Sequence, residues 1–384
     1  MVTKVPVDTG TIVWARKRSQ LSVDRAASLL KCETSQLEKI EAGTAMPTAT
    51  QFRRMADIYL LPEATLLGLV PASELALPKD FRSFEGARVD LSYETVLAVR
   101  RVQARQEAIA HLAEIDDQIV APELPIHTIR DDPEQLGASF RREFGFPVID
   151  QLTLTTQQSY QRWRRMIEDM GVSVYVEPLG KDDSRGVSMY FNEFPAIIID
   201  QNEKQHGARL FTLFHELAHL LIRQTGISNF SPRNAVENFC NRFAASFLMP
   251  REAVQAVFDV ADGKKIEPDL PQLEFAARKL SVTISQIALR LEHLEYAPKG
   301  LYARIAKLLR PPSPKPKGKG GPEWKYMYLS RYGHNLPSYV IGSLDRGQIS
   351  SVEAARLMDA APANIGVLRA TLAERRLDVN DVFA

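Results

Sequence analysis

The spacing of apolar and polar positions divides the chain into a helical N-terminal stretch, a short run of strand-like alternation and a long helical remainder. Across residues 11–68 apolar residues recur at helical intervals, punctuated by Pro47 and Pro62. Ser92 reads as the N-cap of a long amphipathic helix reaching about Ile115. Asp132 and Pro133 read as cap and first-turn proline of a helix ending near Gly145. Gln157 to Met170 is a further helix, closed by Gly171. The period then shortens. Val172–Val176, Gly186–Phe191 and Pro195–Asp200 are short, rich in β-branched or aromatic residues and separated by turn formers, which predicts a small antiparallel sheet. Helices resume at Gly207 and near Asn234, and PPSPKPKGKGGP, residues 311–322, has too much proline and glycine to pack, so it reads as a linker before a small helical module.

Inside the helix that follows the strands lies FTLFHELAHLLI, residues 211–222. Two histidines and a glutamate among leucines and phenylalanines are costly to bury unless something pairs with them. His215 and His219 stand four residues apart, on one helical face, so their imidazoles can converge on a single ion. Glu216, one step round the helix, can reach a water rather than the metal. The bland alternative is a pair of satisfied core histidines. A third ligand is available in VENFCNRFAASFLMP, residues 236–250, where Glu237 precedes a buried face marked by Phe239, Phe243, Phe247 and Leu248. Glu237 also suits a solvated first-turn position favoured by the helix dipole.

Composition narrows the setting. The 384 residues are 45% hydrophobic and 25% charged, ordinary for a globular chain with two or three domains, and the net charge of +1 carries no whole-chain signal for nucleic acid or membrane. MVTKVPVDTGTIVW does not read as a signal peptide, and no apolar run is long enough to span a bilayer. Two cysteines, Cys32 and Cys240, are too few for a disulfide framework and suggest a reducing cytoplasm.

H-E-L-A-H preceded by R-L-F-T-L, then E-x-x-C-N-x-F-A-A-x-F-L-M-P, resembles the ImmA/IrrE family of metallopeptidases. The approach is similar too: W-R-R-M-I-E-D-M-G, V-S-V-Y-V, R-G-V-S-M-Y and P-A-I-I-I-D. The resemblance covers roughly residues 78–300 and implies a Zn²⁺ site with His215, His219 and Glu237 as ligands and Glu216 as general base. Cys240 stands where that family usually has alanine, a small core-facing change expected to matter little. Such sites often take substrate as an added strand, and Pro195–Asp200 is the candidate edge.

LSVDRAASLLKCETSQLEKIEAGTAMP, residues 21–47, resembles the Xre-type helix-turn-helix. That resemblance places Thr34–Lys39 at the start of a recognition helix, with Ser35, Gln36 and Lys39 facing the major groove of double-stranded DNA. Val23 replaces a phosphate-contacting glutamine, and Glu33 and Glu38 add negative charge. Residues 1–70 hold nine Lys/Arg against seven Asp/Glu. The alternative is a helical module that binds protein or dimerises. Leu273–Glu295 and Ile349–Leu372 have similar helix-turn-helix spacing.

The expected fold is mostly α with a small antiparallel sheet (α+β), a zincin-like minimal metallopeptidase domain preceded by an all-α helix-turn-helix domain. The expected organisation is a helix-turn-helix at 1–70, a helical connector at 71–125, the peptidase at 126–300, a Pro/Gly/Lys linker at 301–322 and a helical module at 323–384. The resemblance implies a zinc-dependent regulatory endopeptidase that cleaves a helix-turn-helix repressor in a stress or mobile-element response. The competing reading is a DNA-binding regulator, or the antitoxin of a cognate toxin, whose peptidase-like domain senses a ligand or binds a partner. Either fits a cytoplasmic protein, as a monomer or homodimer, with no membrane association.

Overall fold

The computed structural model describes residues 3–19, 21–59, 61–68, 91–181, 183–191, 193–223, 226–227, 235–309 and 323–380. Among them no helix is long and apolar enough to cross a membrane. The chain divides into two compact units, residues 1–101 with 178–183, and residues 102–177 with 184–384.

The first unit is all-helical: α1 Thr9–Arg18, α2 Val23–Leu30, α3 Thr34–Glu41, α4 Ala49–Tyr59, α5 Glu63–Leu66 and the start of α6 Tyr93–Ile115. Ile12, Leu30, Leu37, Ile40, Met55 and Tyr59 form its core. Ser22 caps α2 by accepting from the Arg25 N–H. Lys31, at φ 56°, supplies the left-handed turn into α3. Arg16 clamps α1 to α3, donating to the Glu41 carboxylate at 2.6 and 3.0 Å and to the Leu21 carbonyl at 2.9 Å.

The second unit opens on α7 Pro133–Glu143, α8 Val148–Thr153 and α9 Thr156–Asp169. Asp132 caps α7 with Pro133 in the first turn, and a Thr155/Gln158 capping box starts α9. Strands β1 Ser173–Glu177, β2 Gly186–Phe191, β3 Phe194–Asp200 and β4 Gly226–Ile227 form one sheet in the order β1-β3-β2-β4. Two expectations are corrected here. The sheet is mixed rather than antiparallel, because β1 pairs with β3 in parallel, Tyr175 opposite Ile198, while β2 and β4 run antiparallel. Pro195–Asp200 is a central strand, not an edge. Its buried run Ala196–Ile199 is the pattern of a strand covered on both faces and paired on both sides.

Helix α10 His206–Leu221 packs on β2 and β3, and α11 Ala235–Leu248 packs against α10 and α7, followed by α12 Arg251–Phe258, α13 Leu270–Leu280, α14 Ile284–His293 and α15 Leu301–Leu308. The aromatic centre joins α9, α10 and α11: Phe214 stacks on Phe247 at 3.8 Å, and Trp163 meets both edge-on. Residues 301–308 at the start of the expected linker are thus helical; the proline-rich stretch 311–322 lies outside the described residues. The chain finishes with α16 Trp324–Tyr332, α17 Asn335–Asp345, α18 Ser351–Leu357, a 3₁₀ turn Pro362–Asn364 and α19 Ile365–Asn380. Their core, including Tyr328, Leu336, Val340 and Leu368, is continuous with Ile109 and Leu112 of α6. Asp116 accepts from Ser343 at 2.5 Å and pairs with Arg346.

Both further helix-turn-helix segments take that shape. Ser281 at φ 58° turns α13 into α14, and Asp359 at φ 50° follows α18. The last repeats the first closely: Ser350 caps α18 as Ser22 caps α2, and buried Ala354 and Ala355 take the places of buried Ala26 and Ala27.

Candidate metal centre

The helix α10 is apolar on nearly every side, so burial of its middle turns follows from composition. That burial carries His215, Glu216 and His219 inside, each at most 2% exposed. α11 packs alongside and delivers Glu237, also buried. The ligand atoms of His215, His219 and Glu237 lie within 4.8 Å of one another, and no other such cluster exists among the described residues. His215 Nε2 is 3.2 Å from Glu237 Oε2, His219 Nε2 is 3.4 Å from Oε1, and the two Nε2 atoms are 3.2 Å apart.

This geometry fits a divalent metal. Donor atoms 3.2–3.4 Å apart have the spacing that bonds of about 2 Å to one tetrahedral ion require. On the far side, His215 Nδ1 is 3.1 Å from Asn241 Oδ1, an oxygen that can only accept, so that contact would leave Nε2 free to ligate a metal. Burial pushes the Glu237 carboxyl up, yet hydrogen bonds and charge from both histidines outweigh it and hold it at about 2. Burial pulls the His219 imidazole down, but Cys240, Glu237 and Glu216 outweigh it and raise it well above its ordinary value. The pocket is built around positive charge. Two nitrogens and one carboxylate form the donor set that suits zinc with an open position.

Three further residues border the cluster. Asn241 and Cys240 follow Glu237 by four and three positions, so all three share one face of α11, a spacing that alone could have assigned them to the site. The buried Cys240 thiol lies within hydrogen-bonding reach of His219. Gly186, at the start of β2, had no local signal. A Cβ there would lie 2.7 Å from Glu216 Oε1 and 2.6 Å from Thr212 Cγ2, so only glycine lets the strand approach the Glu216 carboxylate this closely.

In the first unit, Ser35, Gln36 and Lys39 are all exposed on α3, while Leu37 and Ile40 face the core. Glu33 and Glu38 are exposed with them.

No curated protein matches this chain. Two segments match family models: residues 14–67 match a helix-turn-helix domain, and residues 167–292, which contain every member of the buried cluster, match the IrrE N-terminal-like domain of the M78 peptidases.

Proposed function

We propose that the second unit is a zinc-dependent endopeptidase under the control of a DNA-reading N-terminal domain. The observation that supports it most is the convergence of His215, His219 and Glu237 within 4.8 Å, with Glu216 buried on the same helix. These three side chains would hold the metal, which supplies Lewis acidity toward a peptide carbonyl when bound. Asn241 keeps His215 in the tautomer that presents Nε2. The Glu216 carboxylate takes a proton from the attacking water and returns it to the leaving amine. The metal-bearing helix packs against β2, whose outer side pairs, among the described residues, with β4 at Val187 and Ser188. We place the extended substrate along the remainder of that side, replacing the edge first expected at β3. The natural substrate on this reading is a helix-turn-helix repressor.

Metal analysis of purified protein, paired with Glu216→Gln, tests the proposal. The expected outcome is about one zinc per chain in both proteins and turnover in the parent alone. Metal-free parent protein, or equal turnover in the variant, would overturn it.

A second reading is supported by the exposed Ser35, Gln36 and Lys39 on α3 and by the helix-turn-helix match. In it the chain is a transcriptional regulator or an antitoxin in the cytoplasm, and the peptidase-like unit holds a cognate toxin. Co-purification of a stable partner with a Glu216→Gln variant that keeps full biological effect would favour this reading.

A further inference from the structure

The metal helix begins at a cavity that the peptidase reading does not use. Its walls come from α9, the N-terminus of α10 and α16, and its volume is about 530 Å³, in the range of small-molecule sites. α10 is 16 residues long, has no side-chain cap and has no acidic residue in its first turn. Lys204, His206 and Arg209 gather there instead, although a helix N-terminus repels cations. That arrangement suits an anion.

Of the cations around the cavity, Arg331 is paired with Glu177 at 2.7 Å, whereas Lys204 and Arg209 bond to main-chain carbonyls. Lys204 donates to the Gln201 carbonyl at 2.7 Å, and Arg209 to the carbonyls of Glu203 at 2.7 Å and Gln201 at 3.2 Å. Arg164 donates to the carbonyls of Ser330 and Val174 at 2.7 and 2.5 Å. Glu203 accepts from the Gln205 N–H at 2.8 Å and lies 3.9 Å from Arg185, outside the cavity wall. Among the described residues of the wall the one carboxylate is Glu168, whose Oε1 takes the His334 N–H at 3.1 Å and faces Arg164 Nε at 3.5 Å.

Two residues of the wall carry a buried polar atom with no partner among the described residues. Tyr160 is 4% exposed, its ring lies 5.6 Å from that of His206, and its hydroxyl has no hydrogen-bond partner among the described residues. Glu168 is 2% exposed, and its Oε2 likewise lacks a partner. A buried hydroxyl left unbonded costs about 1–3 kcal/mol, so a polar ligand or a water that bonded these groups would recover it.

We propose that this cavity binds a small polar molecule through a phosphate or carboxylate group seated at the α10 N-terminus. Lys204, Arg209 and the Tyr160 hydroxyl donate to the oxyanion, and Glu168 Oε2 accepts from a hydroxyl elsewhere on the molecule. The opposite wall holds Ser330 and Arg331 of α16. The occupant therefore joins the C-terminal helices to the helix that carries His215 and His219, which begins nine residues earlier.

The test is calorimetric titration of full-length protein with inorganic phosphate and, separately, citrate, at constant ionic strength. It needs no peptidase activity and is done in the Glu216→Gln background, so failure of the catalytic reading leaves it intact. Saturable binding of either anion is expected, with affinity falling at least about tenfold in Lys204→Gln/Arg209→Gln and several-fold in Tyr160→Phe. Should the double variant fold poorly, Lys204→Gln alone, at an exposed side chain, is expected to weaken binding several-fold. No binding of either anion on the order of 10 mM, or unchanged affinity in these variants, would overturn the proposal.

Discussion

Gly186 faces Glu216 so closely that a single methyl group on the strand would sit 2.7 Å from the carboxylate oxygen and 2.8 Å from Cγ. The strand and the metal helix thus share one constraint, and it makes Gly186→Ala informative. The substitution is expected to destabilise by about 1–3 kcal/mol through overpacking. In Gly186→Ala/Glu216→Ala the clash with Cγ and the carboxylate is gone, so chemical denaturation of both single variants and the double variant is expected to show coupling above about 0.5 kcal/mol. Additive effects would refute the contact.

Asn241 meets the site through the outer nitrogen of His215. Asn241→Ala is expected to keep the fold and lower metal affinity by about 10- to 100-fold, read by competition with a chelator. Unchanged affinity would show that the tautomer is held by something else.

Glu177 is fully buried between Arg105 and Arg331, at 2.7 Å from each. Burial raises its carboxyl, but the two guanidinium groups outweigh burial and set it below its ordinary value. A carboxyl lowered on folding stabilises above its unfolded pKa and ceases to do so as pH falls through the folded one. Glu177→Gln is expected to cost no more than the low end of about 3–5 kcal/mol near neutral pH, because Arg331 is 40% exposed. That cost should shrink as pH drops below about 4.3. Urea melts at a series of pH values check it; a pH-independent difference would contradict the pairing.

On the helix-turn-helix unit, Lys39→Ala is expected to weaken DNA binding uniformly across sequences and to flatten the salt dependence by about one counterion, whereas Gln36→Ala costs about 1–3 kcal/mol on the preferred site only. Gel shifts at two salt concentrations distinguish these. Absence of any shift at low salt would leave α3 as a protein-binding helix.

Much of the site was readable in one dimension because its parts are local. His215, Glu216 and His219 sit within one and a half turns, and Glu237, Cys240 and Asn241 within another, so helical spacing alone groups each set on a face. Caps behaved likewise: Ser22, Asp132 and Thr155 each bond to a backbone N–H two or three residues on. The sheet was less legible. β-Branched and aromatic content between turn formers reveals that β1, β2 and β3 are strands, but not which pairs with which, and the unbroken apolar run in β3 marks the centre of the sheet rather than its edge.

The sequence by itself determined the helices and their turns, the buried H-E-x-x-H face and the second helix that answers it, since these depend on period and burial within a few residues. Tertiary structure alone decided the mixed strand order, the Gly186 approach to Glu216, the union of Glu177 with Arg331 and the joining of residues 323–380 to α6. Those partners lie tens to hundreds of positions apart, and only packing in three dimensions selects among the many faces that local pattern makes equally available.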